Sequence, residues 1–215
     1  MSAVNPPISA PIGAANGATT DWIRAESIRS LPIDQARGVG AMAWFIASEA
    51  MVFVGLFFSY FYLGHLQPRW PTDNPPHLAL ASAMMGILLV SCVVLWSGRR
   101  ALESGGEPAA RGALLVTAIL GCIFVVLNAY DYNNHVRDLP ATTDSYSSIF
   151  YVIDGVHTAH LMLGILMLLY ALMLPQLGPT EKPPHSPYRT VAMYWYFVTV
   201  VYAAVYCILY LVPKL

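Results

Sequence analysis

The sequence predicts an all-α integral membrane bundle of five transmembrane helices. Three observations carry that expectation. Of the 215 residues, 57% are hydrophobic and 11% are charged, against about 25% charge in an average soluble domain. Mean hydropathy is +0.55. The apolar residues gather into five runs, each long enough at about 1.5 Å per residue to cross a hydrocarbon layer of about 30 Å. The net charge of −1 leaves no electrostatic footprint for nucleic acid.

The chain opens with Met1–Thr20, MSAVNPPISAPIGAANGATT. It has neither a basic n-region nor an apolar h-region, so the first span is expected to act as its own insertion signal. Its Pro, Ala and Gly read as a disordered tail. Asp21–Arg37, with Pro32 in the middle, is expected to hold one short interfacial turn or helix led by Trp22 and Ile23. Residues 1–37 are therefore assigned as a cytoplasmic N-terminal tail, and 38–215 as one membrane domain.

The first span is 38–64, and its stretch GVGAMAWFIASEAMVFVGLFFSYFYL holds a single charge, Glu49. The second is 77–97, the third 111–131, the fourth 147–175 and the fifth 188–212. The links HLQPRWPTDNPP, GRRALESGGEPAA, YNNHVRDLPATTDS and QLGPTEKPPHSP are short and rich in Pro, Gly, Asn and Asp, which end helices. No internal repeat is visible. Cys92, Cys122 and Cys207 lie inside apolar runs without a CxxC spacing, and read as small core residues.

Orientation follows from Lys and Arg near the span ends. Arg24, Arg29, Arg37, Arg99, Arg100, Arg111, Lys182 and Arg189 fall on one side, and Arg69, Arg137 and Lys214 on the other. That bias predicts a cytoplasmic N-terminus and a C-terminus outside. Trp70, Trp96, Tyr130, Tyr132, Tyr146 and Tyr210 sit where an interfacial aromatic belt is expected.

Four strongly ionisable groups lie well inside the spans: Glu49, and Asp154, His157 and His160 on the fourth. A carboxylate at the centre of a membrane helix costs about 2.5–3.5 kcal/mol on insertion scales and marks a site by default. Glu49 lies about 16 Å into its span, His157 about 15 Å and His160 about 20 Å into theirs from the other side, and Asp154 about 10 Å. Glu49 is therefore expected to face the fourth helix and bond to His157 or His160. Asp154, His157 and His160 follow at i, i+3 and i+6, so that neighbours in the series share a face. Two readings stay open. The polar cluster ties helices together, or it handles protons, lipid or gas.

A metal reading is poor, because zinc usually takes three or four ligands. His65, His77, His135 and His185 lie in links or at span ends, at no depth matching His157 and His160, which speaks against haem or a three-histidine copper site. Asp131 ends the third span and reads as a solvated interfacial carboxylate.

These segments resemble subunit III of the haem–copper oxidases. Phe45 to Leu56, FIASEAMVFVGL, matches the F-I-x-S-E-x-M-x-F-x-G-L helix of that family, including Ser48, Glu49, Phe53 and Gly55. The third span resembles L-x-x-T-x-x-L-G-x-x-F-x-x-x-Q-x-x-E-Y, with Asn128 in place of the glutamine and Asp131 of the glutamate. Gly155, His157, His160 and Gly164 are similar to G-x-H-x-x-H-x-x-x-G. Tyr194 to Tyr202 resembles Y-W-H-F-V-D-x-V-W, but Tyr196, Thr199 and Tyr202 replace its His, Asp and final Trp. The likeness covers Arg37 to about Val212, and five helices fit the bacterial form that lacks two N-terminal helices.

The resemblance implies a multi-pass protein of the bacterial cytoplasmic (inner) membrane. It implies a non-redox accessory subunit without a catalytic centre, a metal or a cofactor of its own. Its partners would be the catalytic subunit I, which holds haem and copper, other oxidase subunits and bound phospholipid. It would support the stability and proton uptake of the catalytic subunit during oxygen reduction in aerobic respiration. Glu49, His157 and His160 take the positions of the family's membrane glutamate and histidines. The alternatives are a small membrane subunit associated with nitric oxide reductase, and an independent proton-coupled carrier that uses Glu49 and the histidines as a relay.

Overall fold

The computed structural model describes the backbone at residues 13–67, 70, 78–138, 145–174 and 187–211, and side chains at the same residues except 13–37 and 135–138. Five helices follow in order: α1 (Gly13–Leu66), α2 (Leu78–Glu103), α3 (Glu107–Asp138), α4 (Ser145–Met173) and α5 (Pro187–Tyr206), with a π-helical turn at Cys207–Leu211. All five contain a stretch long and apolar enough to cross a membrane, and in α1 that stretch is Gly38–Leu66.

The main departure from the sequence reading is at the start. The expected tail falls at residues 1–12 outside the described residues, and from Gly13 the backbone is helical into the first span. Ala, Arg, Ile, Glu and Leu between Asp21 and Arg37 are good or fair helix formers, and a growing helix propagates more easily than a new one nucleates. The segment is therefore continuous with the span instead of a separate turn.

Helix α2 packs along α3, α3 along α4, α4 along α5, and α5 closes back onto α2; α1 lies on α4 and α5. The inward residues of α2 are Ala81, Met84, Leu88, Ser91, Leu95, Gly98 and Leu102, alternating three and four apart, the seam spacing of paired helices. The α2–α3 turn is short for a defined reason. Gly105 has φ +84°, Gly106 N–H donates to Ala101 O (2.8 Å) and Gly105 N–H to Leu102 O (3.1 Å). This is a Schellman cap, which needs a residue free to adopt a left-handed conformation.

Trp195 of α5 fills the centre of the bundle. Its Nε1–H donates to Ser91 Oγ at 2.8 Å, and Ser91 in turn donates to Leu88 O at 2.6 Å. A Cβ at Gly121 would stand 2.7 Å from Trp195 Cη2, so the Trp195 ring reaches the backbone of α3 because Gly121 has no side chain. At one end of the bundle Arg111 of α3 donates from Nη1 to Leu172 O (3.1 Å) and from Nη2 to Leu174 O (2.9 Å). It thereby satisfies carbonyls that the end of α4 leaves unpaired.

Two sequence expectations about what faces where are corrected. Cys92 is half-buried, but Cys122 and Cys207 are exposed. Lipid is as apolar as a protein core, so an apolar run does not say which of its faces points inward. Trp96, Tyr130 and Tyr132 lie on the outer surface, as a belt requires, but Tyr146 and Tyr210 are buried. With Tyr60, Trp70 and Phe150 they form an internal aromatic cluster, with ring centroids 5.1–6.3 Å apart.

Candidate functional site

The polar residues of α4 separate because three residues advance a helix by about 300°, some 60° short of a full turn. Asp154, His157 and His160 therefore turn progressively around α4. Asp154 faces α3, His157 the interior and His160 the flank where α1 lies.

His160 and Glu49 form the best-defined contact. His160 Nε2 is 2.7 Å from Glu49 Oε2, and His160 Nδ1 is 2.7 Å from Val156 O. The second bond fixes the first. A carbonyl oxygen accepts and never donates, so Nδ1 must carry a proton. Nε2 and Oε2 at 2.7 Å then need a proton between them. Either Glu49 is a carboxylic acid donating to a neutral imidazole, or a carboxylate accepts from an imidazolium. Both states hold the same count of protons, so the pair is a site for one shareable proton. The side chains of His160 and Glu49 are 14% and 25% exposed, so the pair lies at the rim of the α1–α4 contact. Phe53 stands edge-on to His160 at 5.0 Å. On the α5 side Tyr194 donates to His160 O at 3.3 Å and stacks on Phe45 at 5.9 Å.

His157 is different. It is fully buried, and neither ring nitrogen has a hydrogen-bond partner among the described residues. Phe53, Phe124 and Tyr202 surround it, with centroids at 6.4, 6.0 and 5.2 Å. Phe53 thus lies beside both imidazoles, its ring plane steeply inclined to each.

Asp154 belongs to a third group. Asn128 of α3 donates from Nδ2 to Asp154 Oδ2 (3.0 Å) and Thr158 Oγ1 (2.7 Å), and Thr158 donates to Asp154 O at 2.8 Å. Asp131, expected to be solvated, is 4% exposed. The helix does not end there but continues to Asp138, and Asp131 lies on its buried side. Asn128 and Thr158 were not assigned a role from sequence; an amide inside the apolar run of α3 was the available signal.

At the α5 departures, Cys92 Sγ–H donates to Thr199 Oγ1 (3.2 Å) and Thr199 to Trp195 O (3.0 Å). Tyr202 donates to Ala81 O at 3.4 Å. The Tyr196 hydroxyl is buried without a partner among the described residues. Two of the three altered positions, Thr199 and Tyr202, thus bond α5 to α2. Among the described residues no three His, Cys, Asp or Glu side chains converge as a metal site would require.

Comparison with known proteins gives a consistent result. The family described as cytochrome c oxidase subunit III matches residues 33–213. A cytochrome c oxidase subunit 3 from Synechocystis sp. is 29% identical over 170 residues, covering 78% of this chain and 72% of the relative. A probable cytochrome c oxidase subunit 3 from Nocardia farcinica is 27% identical over 190 residues, covering 87% and 93%. The cytochrome c oxidase subunit 3 of Drosophila yakuba is 33% identical over 182 residues, covering 79% and 67%.

Proposed function

Because the chain belongs to the cytochrome c oxidase subunit III family, we propose that it is the accessory subunit III of a haem–copper terminal oxidase, and that it supports proton uptake by the catalytic subunit. Haem and copper reside in that partner. The family match and the relatives' names favour this reading over an association with nitric oxide reductase. An independent carrier is disfavoured because the sequence carries no internal repeat, which such carriers often show.

The proton role is carried by one observation, the bond of His160 Nδ1 to Val156 O, which obliges the Glu49–His160 contact to hold a proton. The pair sits about 16 Å into the membrane, where a proton store next to a catalytic subunit is protected from bulk exchange. In this reading Arg99, Arg100, Arg111 and Arg189, at the joined ends of α2, α3 and α5, mark the cytoplasmic side of a bacterial inner membrane. The N-terminus is then cytoplasmic and the C-terminus outside. An apolar groove of about 380 Å³ along α3, lined by Leu115, Ile119, Cys122, Ile123 and Val126 with Leu169 of α4, is suited to a phospholipid acyl chain.

The test is Glu49→Gln in the intact oxidase. Haem content is expected near wild type, with slower proton uptake and a shorter turnover lifetime. Unchanged uptake kinetics in a fully assembled complex would remove the proton role. A lost haem spectrum despite normal assembly would contradict the accessory role itself.

A further inference from the structure

Helix α1 is fastened unevenly along its span. The C-terminal half is anchored by Phe53 and Tyr60, each 2% exposed, and Leu56, Phe57 and Leu63 pack on the same core. In the N-terminal half no residue from 38 to 52 is buried. Met42 and Ile46 lie partly buried against the bundle, Phe45 stacks on Tyr194 at 5.9 Å, and Glu49 bonds His160 at 2.7 Å. Ser48 Oγ donates back to Phe45 O at 2.7 Å, a bond that competes with the backbone ladder and favours bending at that turn.

Of these contacts the bond to His160 decides whether the N-terminal half stays on the bundle. Lipid chains are as apolar as Met42, Ile46 and Phe45, so those contacts exchange for lipid contacts at little cost. The Glu49–His160 bond has no such substitute in hydrocarbon, and it exists only while the pair holds its proton. With Nδ1 bonded to Val156 O, loss of that proton leaves a lone pair on Nε2 facing a carboxylate, two acceptors with nothing between them. A carboxylate inside the membrane is expensive and is drawn toward water, and 25% of the Glu49 side chain is already exposed.

Few other titratable groups surround the pair. Glu49 is the one Asp, Glu, Lys, Arg or His between 38 and 64. Helix α5 brings Tyr194, which donates to His160 O at 3.3 Å. Helix α4 brings His157, enclosed by aromatic rings, and Asp154, which accepts from Asn128 on the α3 side. The bond that joins α1 to α4 therefore answers to the protons of Glu49 and His160.

We propose that the N-terminal half of this span is a proton-operated clasp: it lies on α4 and α5 while the Glu49–His160 pair holds its proton, and swings away about Phe53 when that proton leaves. This deepens, and rests on, the reading of the pair as a proton site. The closed clasp screens the proton. The open clasp brings Glu49 to water, where it reloads and closes again, so the pair controls its own refilling. The closed state is complete at low pH and is lost as pH rises through the titration of the pair.

The test is double electron–electron resonance on the intact oxidase in lipid nanodiscs, with nitroxides carried on p-acetylphenylalanine so that the native cysteines stay unlabelled. Labels at Ala43 and Ser97 report the N-terminal half, and labels at Tyr62 and Tyr130 report the C-terminal half; all four positions are exposed. In the first pair a longer-distance population is expected to grow as pH rises, while the second pair stays fixed. Glu49→Gln should hold the first pair at the short distance at every pH, because an amide donates to neutral His160 and accepts from its protonated form. Glu49→Gln leaves His157, Asp154 and Tyr194 in place, so movement that persists in it would overturn the clasp. A first pair unmoved by pH, or two pairs that move alike, would overturn it too. If the clasp fails while Glu49→Gln still slows proton uptake, the proton site stands without it. If the distances shift as expected and uptake in Glu49→Gln is unchanged, the clasp stands and the uptake role fails.

Discussion

The Glu49–His160 bond invites a double-mutant cycle with Glu49→Leu, His160→Phe and the double variant. Each single change strands a polar group. An unmade buried hydrogen bond costs about 1–3 kcal/mol, and the 25% and 14% exposures of the two side chains put both singles toward the low end, about 1.5 kcal/mol each. The double variant places two apolar side chains against each other and strands no polar group, so that its cost is one of altered packing, about 1.5 kcal/mol. Two singles summing to about 3 kcal/mol, with a double of about 1.5 kcal/mol, give a coupling near 1.5 kcal/mol. Neutral bonds between membrane helices average about 0.6 and reach about 1.7 kcal/mol, so this pair should lie near the top of that range because one partner is ionisable. The assay is unfolding by a denaturing detergent in mixed micelles, followed through tryptophan fluorescence. A coupling below about 0.6 kcal/mol would refute the claim that the pair holds α1 to α4.

Three further outcomes follow from the same geometry. His157→Phe should leave stability unchanged or raise it, because neither ring nitrogen has a partner among the described residues and the pocket is aromatic; a loss above about 2 kcal/mol in thermal unfolding would show a bond that is missing from this account. Gly121→Ala should destabilise by about 1 kcal/mol, the balance of overpacking against Trp195 and Ile165 and a helix-propensity gain; Gly155→Ala, whose Cβ meets nothing within 4 Å, should be neutral or stabilising, and the reverse order of the two melting temperatures would contradict the packing. Arg111→Lys should cost about 1 kcal/mol, since an ammonium cannot match the fork that spans Leu172 O and Leu174 O while pairing Glu107; an unchanged melting temperature would count against the cap.

Helix number and approximate bounds were legible because membrane thickness sets a length that composition can meet or miss. The contact of Glu49 with α4 was legible because a charge inside such a run is expensive and needs a partner, and matching depths on two spans pointed it at α4. Which histidine it meets was not legible. Depth along a helix says nothing about rotation around it, and His157 and His160 differ in rotation by about 60°. The inward or outward direction of Cys122, Cys207 and Asp131 was hidden for a related reason. Inside a membrane both faces of a helix are apolar, so hydropathy loses the amphipathic contrast that locates a core in water. The length of α1 was missed because Pro32 read as a breaker, and the short α2–α3 turn was missed because the link was taken as longer than Ser104–Gly106.

The bond that fastens α1 to the bundle is also the bond that holds a proton, and glutamine separates these two roles. With Nδ1 protonated against Val156 O, His160 Nε2 in its neutral form is an acceptor. An amide at position 49 can donate to it and preserve the 2.7 Å contact, but an amide does not release its proton under physiological conditions. Glu49→Gln therefore keeps the latch and removes the exchangeable proton, while Glu49→Leu removes both. If proton uptake slows in both variants but assembly fails in Glu49→Leu alone, the pair serves as latch and store together. If both variants assemble poorly and the assembled fraction takes up protons normally, the contact is a fastening between helices and nothing more.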